Sequence, residues 1–150
     1  MAVSSTSSSI ALATGNIASS FATSSSKWII DSGATDHMTG NHHLFSSYAP
    51  YANSSSITIA NGSCSRVLGS GTAQPTPSVS LSHVLNVPDL AFNLLSPSQL
   101  TRQSNCFITL FPDHCLIQDL TTKQVIGRGY ESGGHYFFED QVLHLVIVTH

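Results

Sequence analysis

Charged residues are scarce in this sequence. Lysine, arginine, aspartate and glutamate make up 9% of its 150 residues, compared with roughly 25% in ordinary soluble domains. Lysine and arginine together number 5, they are scattered along the chain, and the formal net charge is -3. Proteins that bind nucleic acids through their phosphates need clustered lysine and arginine. The composition therefore argues against direct binding of nucleic acid.

Long hydrophobic runs and paired cysteines are also missing. No apolar run approaches the roughly 18 residues that span a bilayer, so we expect no membrane partner. Cys64, Cys106 and Cys115 form no CxxC pair, and their odd number leaves at least one thiol unpaired. This usage is typical of free thiols in a reducing compartment rather than of a disulfide framework.

Histidine, in contrast, is plentiful. The sequence contains 8 histidines. His37, His42 and His43 lie close together, but their spacing is not that of HExxH or of paired cysteine and histidine ligands. We therefore interpret them as surface or loop residues, and we predict that the protein holds no metal ion and no other cofactor.

A segment rich in serine and threonine opens the chain. Half of residues 1–26 are serine or threonine, and none carries a charged side chain. A segment of this composition buries too little apolar surface to offset the conformational entropy that folding costs. We predict a disordered tail over residues 1–26 and a folded domain that begins near Lys27.

From Lys27 onward the pattern is that of β-strands. The segment Trp28 to Asp31 is apolar up to its last residue, as in a strand that is covered on both faces. Residues 56–73 predict two strands joined at Asn61-Gly62, because Asn-Gly favours the type I′ turn of a β-hairpin. Further short strands follow at close spacing. The sequence thus predicts an all-β fold, either a small barrel or a sandwich.

One short helix interrupts the strands. Ser96 is a favourable N-cap residue, a proline fits the first helical position, and Gln99 completes the pattern of a capping box. Leu95 and Leu100 occupy the two positions of a hydrophobic staple. We predict a helix over about residues 97–103.

Asp31 stands where a buried strand passes into a turn. Desolvation at the end of an apolar strand disfavours the charged form of an aspartate. Two carboxyl groups that share one proton avoid this cost, and the ionised member can activate a water while the protonated member polarises a carbonyl. Ser32 can donate its hydroxyl to hold the turn, and Gly33 lets a backbone approach the carboxylate. The tripeptide is equally compatible with an Asx-type turn that has no catalytic role.

The Asp-Ser-Gly tripeptide occurs once in the chain. A pair of carboxyl groups would therefore need a second copy of the protein, with a two-fold axis between the two Asp31 side chains. The hairpin turn at Asn61 and Gly62 could close over the shared cleft and exclude water. These features predict general acid–base catalysis by a pair of carboxyl groups in a homodimer.

Several motifs resemble those of one protein family. They are WIIDSGATDHMTG, ITIANGS, GSGTA, LSHVLNVPDLAFNLLSPSQL and CLIQDLTTKQVIGRG. In order and spacing they resemble the protease region of copia-type LTR-retrotransposon Gag-Pol polyproteins, over about Lys27 to Glu139. The resemblance implies a small retropepsin-like β-barrel with a flap hairpin, a homodimer, and a Gag-Pol polyprotein as the polypeptide substrate.

The resemblance also implies which residues form the site. The residues that it assigns to catalysis are Asp31 as the acid, Ser32 as a brace across the dimer axis, and Gly33 as a contact to the substrate backbone. The residues that it assigns to substrate binding lie in the same loop and in the flap: Ala34, Thr35, Asn61 and Gly62.

The resemblance divides the chain into three parts. We expect a tail over residues 1–26, the protease domain over 27–130, and the start of a truncated segment similar to a pre-integrase region over 131–150. An alternative is a catalytically inactive remnant of a retrotransposon that acts at most as a β-barrel module. Dimerisation discriminates between these hypotheses, because a monomer cannot assemble the pair of carboxyl groups.

Overall fold

The computed structural model describes residues 26–59 and 62–139 of the chain. The predicted tail, apart from Ser26, lies outside the described residues, and so do Ala60, Asn61 and residues 140–150. Within the described ranges, no helix has both the length and the apolar character needed to cross a membrane.

Strands dominate the described residues. The ten strands are β1 (Trp28–Ile30), β2 (Met38–Thr39), β3 (Phe45–Thr58), β4 (Cys64–Thr76), β5 (Val79–Asn86), β6 (Asn93–Leu95), β7 (Cys106–Leu110), β8 (His114–Asp119), β9 (Val125–Ser132) and β10 (His135–Glu139). A single 3₁₀ turn (His42–Leu44) and one α-helix, α1 (Pro97–Gln103), complete the described part. The predicted all-β class with one short helix is confirmed.

All ten strands belong to one sheet, in the order β3-β4-β5-β2-β6-β1-β10-β9-β8-β7. Its central strand β1 runs parallel to β6 and antiparallel to β10. The parallel pairing requires a long crossover, which the chain from β2 to β5 supplies. Because β1 is covered on both sides, its three residues are all buried, which explains why this segment is continuously apolar.

The sheet curves until strands from its two halves meet in a shared core. One cluster joins Ala73 and Leu81, of β4 and β5, to Cys106 and Ile117, of β7 and β8. A second cluster contains Ile29 of β1, whereas its neighbours along the strand belong to the first cluster. The core thus lies on both faces of β1, in a barrel-like arrangement.

The predicted β-hairpin forms between β3 and β4. The pairing extends to Thr58 opposite Cys64, and the Gly62 amide donates to the Ile59 carbonyl at 2.8 Å. The predicted type I′ turn includes Asn61, which lies outside the described residues, so the turn type stays a prediction. Gly62 has a φ of +89°, a conformation that glycine adopts readily.

Helix α1 has the predicted bounds and N-cap. The Ser96 hydroxyl accepts a hydrogen bond from the Gln99 amide at 3.3 Å, and Leu95 and Leu100 are fully buried. The predicted capping box does not close, because the Ser96 amide donates instead to the His37 Nδ1 at 2.9 Å. The Gln99 side chain donates to the Thr35 carbonyl at 3.0 Å. The helix therefore holds the loop that follows β1.

The last two strands join the same sheet. β10 pairs with β1 on one side and with β9 on the other. The division predicted between residues 130 and 131 lies inside β9. The sheet therefore continues across that division to Glu139.

The close approach of β3 and β4 predicts the effect of one substitution. A Cβ on Gly71 would overlap the Ser47 carbonyl oxygen and lie 2.9 Å from the Tyr48 Cα. Since these are backbone atoms, we expect Gly71→Ala to separate the strands and lower the free energy of unfolding by about 1–3 kcal/mol. Urea unfolding measures this loss.

Gly33→Ala is the matched control for this prediction. Its added Cβ would make an ordinary contact, at 3.4 Å from the Asp31 Oδ1. Equal losses of stability in the two variants would contradict the steric explanation.

Candidate functional site

Asp31 directly follows β1 and begins a tight turn. Its amide donates to the Leu95 carbonyl of β6 at 3.0 Å, and its carbonyl accepts from the Ala34 amide at 3.0 Å. Ser32 and Gly33 lie at the exposed tip of the turn. Backbone hydrogen bonds therefore fix the position of Asp31 at the end of the strand.

The two oxygens of the Asp31 carboxyl group have different surroundings. Oδ1 accepts a hydrogen bond from the Gly33 amide at 2.9 Å. Oδ2 is buried and has no hydrogen-bond partner among the described residues. Burial raises the pKa of this carboxyl group above its usual value, while the Gly33 amide and the charge of His135 act in the opposite direction. Such a group can hold a proton at a higher pH than an exposed aspartate.

A cavity of about 290 Å³ opens beside Asp31. Most of its wall is apolar and consists of Ile30, Pro97, Ile108, Leu110 and Tyr136. Asp31, Ser32 and His135 supply polar groups. A cavity of this kind can hold a large apolar side chain and present the adjoining backbone to the carboxyl group.

The other predicted loop residues lie behind the cavity rather than in its wall. Ala34 is buried, and its carbonyl accepts from the Ser96 hydroxyl at 2.7 Å. The Thr35 carbonyl accepts from the Gln99 side chain. Both residues tie the Asp31 loop to the start of α1. Their predicted contact with substrate stays a prediction.

Of the predicted flap residues, Gly62 is not brought to this cavity. Gly62 is exposed at the end of the β3–β4 hairpin, and no described residue of that hairpin lines the cavity. Asn61 lies outside the described residues. Instead, Gly134 and His135, where β9 turns into β10, line the cavity together with Ile108 and Leu110 of β7.

His37 lies in the loop between β1 and β2, as predicted, but it is buried rather than at the surface. It has no exposed surface. Its Nδ1 accepts from the Ser96 amide at 2.9 Å, so Nε2 carries the proton and donates to the Gln103 Oε1 at 3.1 Å. Burial lowers the pKa of His37 to about 4. The neutral ring thus connects the Asp31 loop to both ends of α1.

From the sequence, Ser96, Gln99 and Gln103 were predicted only to cap or form the helix. In the structure each also contacts the segment that follows Asp31. One available signal was the spacing of the two glutamines, because residues four apart lie on the same face of a helix. Amide groups repeated on one face indicate polar partners across that face.

Within the described ranges, no three histidine, cysteine, aspartate or glutamate side chains lie close enough together to hold a metal ion. The three cysteines are free, and Cys106 and Cys115 are buried, whereas Cys64 is exposed.

The burial of His37 predicts an acid-sensitive fold. Its pKa falls from 6.5 to about 4 on folding, so the unfolded chain takes up the proton first. The free energy of unfolding is therefore highest above pH 6.5. It falls by about 3 kcal/mol as the pH drops toward about 4. Urea unfolding at a series of pH values measures the loss.

Two variants separate His37 from the other histidines. His37→Gln keeps an acceptor and a donor, and we expect it to flatten the pH dependence of stability over this range. His43→Gln, at an exposed histidine, should leave that dependence unchanged. A dependence that stays steep in His37→Gln would contradict the assignment.

Comparison with known proteins identifies relatives of the chain. The retrovirus-related Pol polyprotein from transposon RE2 of Arabidopsis thaliana is 34% identical over 110 residues, which is 71% of this chain and 8% of that protein. The corresponding polyprotein from transposon RE1 of the same plant is 32% identical over 102 residues, which is 66% of this chain and 7% of that protein. The chain thus spans less than a tenth of either relative. No solved structure matches it.

One family description covers the region of the site. The family described as the Pol polyprotein, beta-barrel domain matches residues 28–105. This range includes β1, the Asp31 loop and α1, and it is more than half of the chain. The resemblance to copia-type retrotransposon Pol polyproteins is confirmed, and the chain belongs to the family of Pol polyprotein beta-barrel domains.

Proposed function

We propose that the chain is an aspartic endopeptidase whose catalytic group is Asp31. The observation that carries the proposal is the state of this carboxyl group, which has a raised pKa and a buried, unpartnered oxygen beside an apolar cavity. A perturbed carboxyl group in a cleft is a candidate for acid–base catalysis. An Asx-type turn would account for the bond to Oδ1 but not for the buried Oδ2.

The reaction needs a second carboxyl group. Among the described residues that line the cavity, Asp31 is the one carboxylate, so we propose that a second copy of the chain supplies the other. Two such groups a few ångströms apart share one proton, because both cannot be ionised at once.

In the proposed mechanism the two Asp31 side chains have complementary roles. The ionised one takes a proton from water as the water oxygen bonds to the peptide carbonyl carbon. The protonated one donates to the carbonyl oxygen. The intermediate then collapses as the peptide nitrogen accepts a proton from the first carboxyl group and the carbon–nitrogen bond breaks. One hydroxyl of the intermediate returns its proton to the second carboxylate, so an acid and an amine leave and the pair again shares one proton.

The apolar wall of the cavity indicates the kind of polypeptide that fits. Ile108 and Leu110 face the space beside Asp31, which suits a large apolar side chain next to the cleaved bond. Ser32 and Gly33 are exposed at the tip of the turn, where a partner subunit or a substrate backbone can reach them. The proposed substrate is a Gag-Pol polyprotein, because the relatives of the chain are Pol polyproteins.

Exposed apolar residues near the cavity suggest where the second copy binds. Leu110 is 55% exposed and Phe111 is 38% exposed. Leu110 is the last residue of β7, and Phe111 follows it. β7 lies at the edge of the sheet, and the outer backbone groups of an edge strand are open to pairing. Burying this rim would bring the two cavities together.

A non-catalytic module is the second candidate. The observation in its favour is that one chain offers a single carboxylate to the cavity within the described residues. A chain that stays monomeric would have no means of forming the catalytic pair.

Replacing the catalytic carboxyl group tests the proposed activity. We expect Asp31→Asn to lower kcat/KM for peptides from the Pol polyprotein by about a hundredfold or more, because it removes the acid–base group. Cleavage assays at mildly acidic pH measure the loss. Asp89→Asn, at an exposed turn aspartate, is the control and should cleave normally. Undiminished cleavage by Asp31→Asn would refute the proposal.

Sedimentation tests the proposed subunit contact. We expect the protein to form dimers at tens of micromolar, and Leu110→Asp to shift it toward monomers, since a charge on the apolar rim opposes burial. Leu120→Asp, at a residue that is 48% exposed away from the cavity, should still dimerise. A wild-type chain that stays monomeric would favour the non-catalytic module.

A further inference from the structure

The strand register places a histidine opposite Asp31. β1 and β10 pair with Ile29 opposite Phe137 and Ile30 opposite Tyr136. Extending this antiparallel register by one residue sets Asp31 opposite His135. Directly opposed residues in an antiparallel pair have Cβ atoms about 4.5–5.5 Å apart and point to the same face of the sheet.

The packing of the preceding pairs agrees with this geometry. Ile29 and Phe137 belong to one core cluster, and Ile30 and Tyr136 both contact the other. Asp31 and His135 both line the same cavity. The two side chains therefore face the same cavity.

We propose that His135 is a positioning residue for Asp31, and that its positive charge favours the ionised form of that carboxyl group across the strand pair. This inference rests on the proposed function for its catalytic meaning, but the pairing itself does not. A histidine changes its charge between about pH 5 and 8. A positive charge at this place favours the one ionised carboxyl group that the reaction needs.

Few other titratable groups face this pair. Of the remaining residues that line the cavity, only Tyr136 is titratable, and its hydroxyl donates to the Phe111 carbonyl. β7 and α1 contribute only uncharged side chains to the wall. Glu131 is turned toward the backbone of the β9–β10 connection, where it accepts from the Gly134 amide at 2.7 Å. His135 is also the one side chain whose charge lowers the pKa of Asp31 in the described part of the chain.

The connection before His135 is shaped to present it. Gly133 and Gly134 have φ values of +59° and +88°, which other residues rarely adopt. The bond from the Gly134 amide to Glu131 closes this turn. β10 begins directly after this turn, at His135. The turn thus fixes His135 at the strand end that lies beside Asp31.

NMR titration of the Asp31 carboxyl carbon tests the proposal without any cleavage assay. We expect His135→Gln to raise the pKa of Asp31, because it removes the positive charge, and His135→Lys to leave it at or below the wild-type value. His43→Gln, at an exposed histidine, is the matched control and should have no effect.

The outcomes separate this inference from the proposed function. An unchanged Asp31 pKa in His135→Gln would overturn the role of His135, whatever the protein cleaves. If the protein also cleaves peptides, the acid limb of kcat/KM should move to higher pH in His135→Gln and return in His135→Lys. A His135→Gln variant whose cleavage falls equally at every pH would contradict the charge effect.

Discussion

The arrangement of the site depends on the pairing of β1 with β6 on one side and β10 on the other. A strand of three residues cannot be stable alone, and here its edges and both faces are covered. The parallel neighbour β6 accepts the Asp31 amide at Leu95, and the antiparallel neighbour β10 supplies His135. β6 ends at Leu95, opposite Ile30, and β10 begins at His135. The Asp31 carboxyl group therefore has a fixed place where these two neighbouring strands stop.

Behind this strand, a buried polar network holds the loop in place. His37, Ser96 and Gln103 form hydrogen bonds in series, and Gln103 also bonds both backbone groups of Ser82 on β5. Buried polar groups are stabilising only when their hydrogen bonds are complete. In this chain, which is poor in charge, neutral amides and one neutral imidazole take the place of ion pairs. The loop can therefore hold Asp31 in place while the Asp31 Oδ2 keeps no hydrogen-bond partner among the described residues.

Local features of the fold were predictable, and long-range ones were not. The bounds of α1 follow from Ser96 and the residues beside it, and the β3–β4 hairpin follows from Asn61-Gly62, because caps and turns act over a few residues. The place of Asp31 at the end of a buried strand was predictable from the apolar residues before it, whereas its catalytic role stays a prediction. The pairing of β10 with β1 joins residues about a hundred positions apart and leaves no local signal. For that reason His135 and the burial of His37 became visible only in the structure.

The central claim is that two copies of Asp31 form one catalytic centre. The most direct measurement mixes wild-type chains with Asp31→Asn chains, lets them exchange, and follows the rate of peptide cleavage as the mixing ratio changes. If both carboxyl groups must come from the wild type, an equal mixture has about one quarter of the activity of the same total amount of wild-type chain, because pairing is random. A rate that falls in simple proportion to the wild-type fraction, to about one half, would show that each chain works alone and would contradict the account.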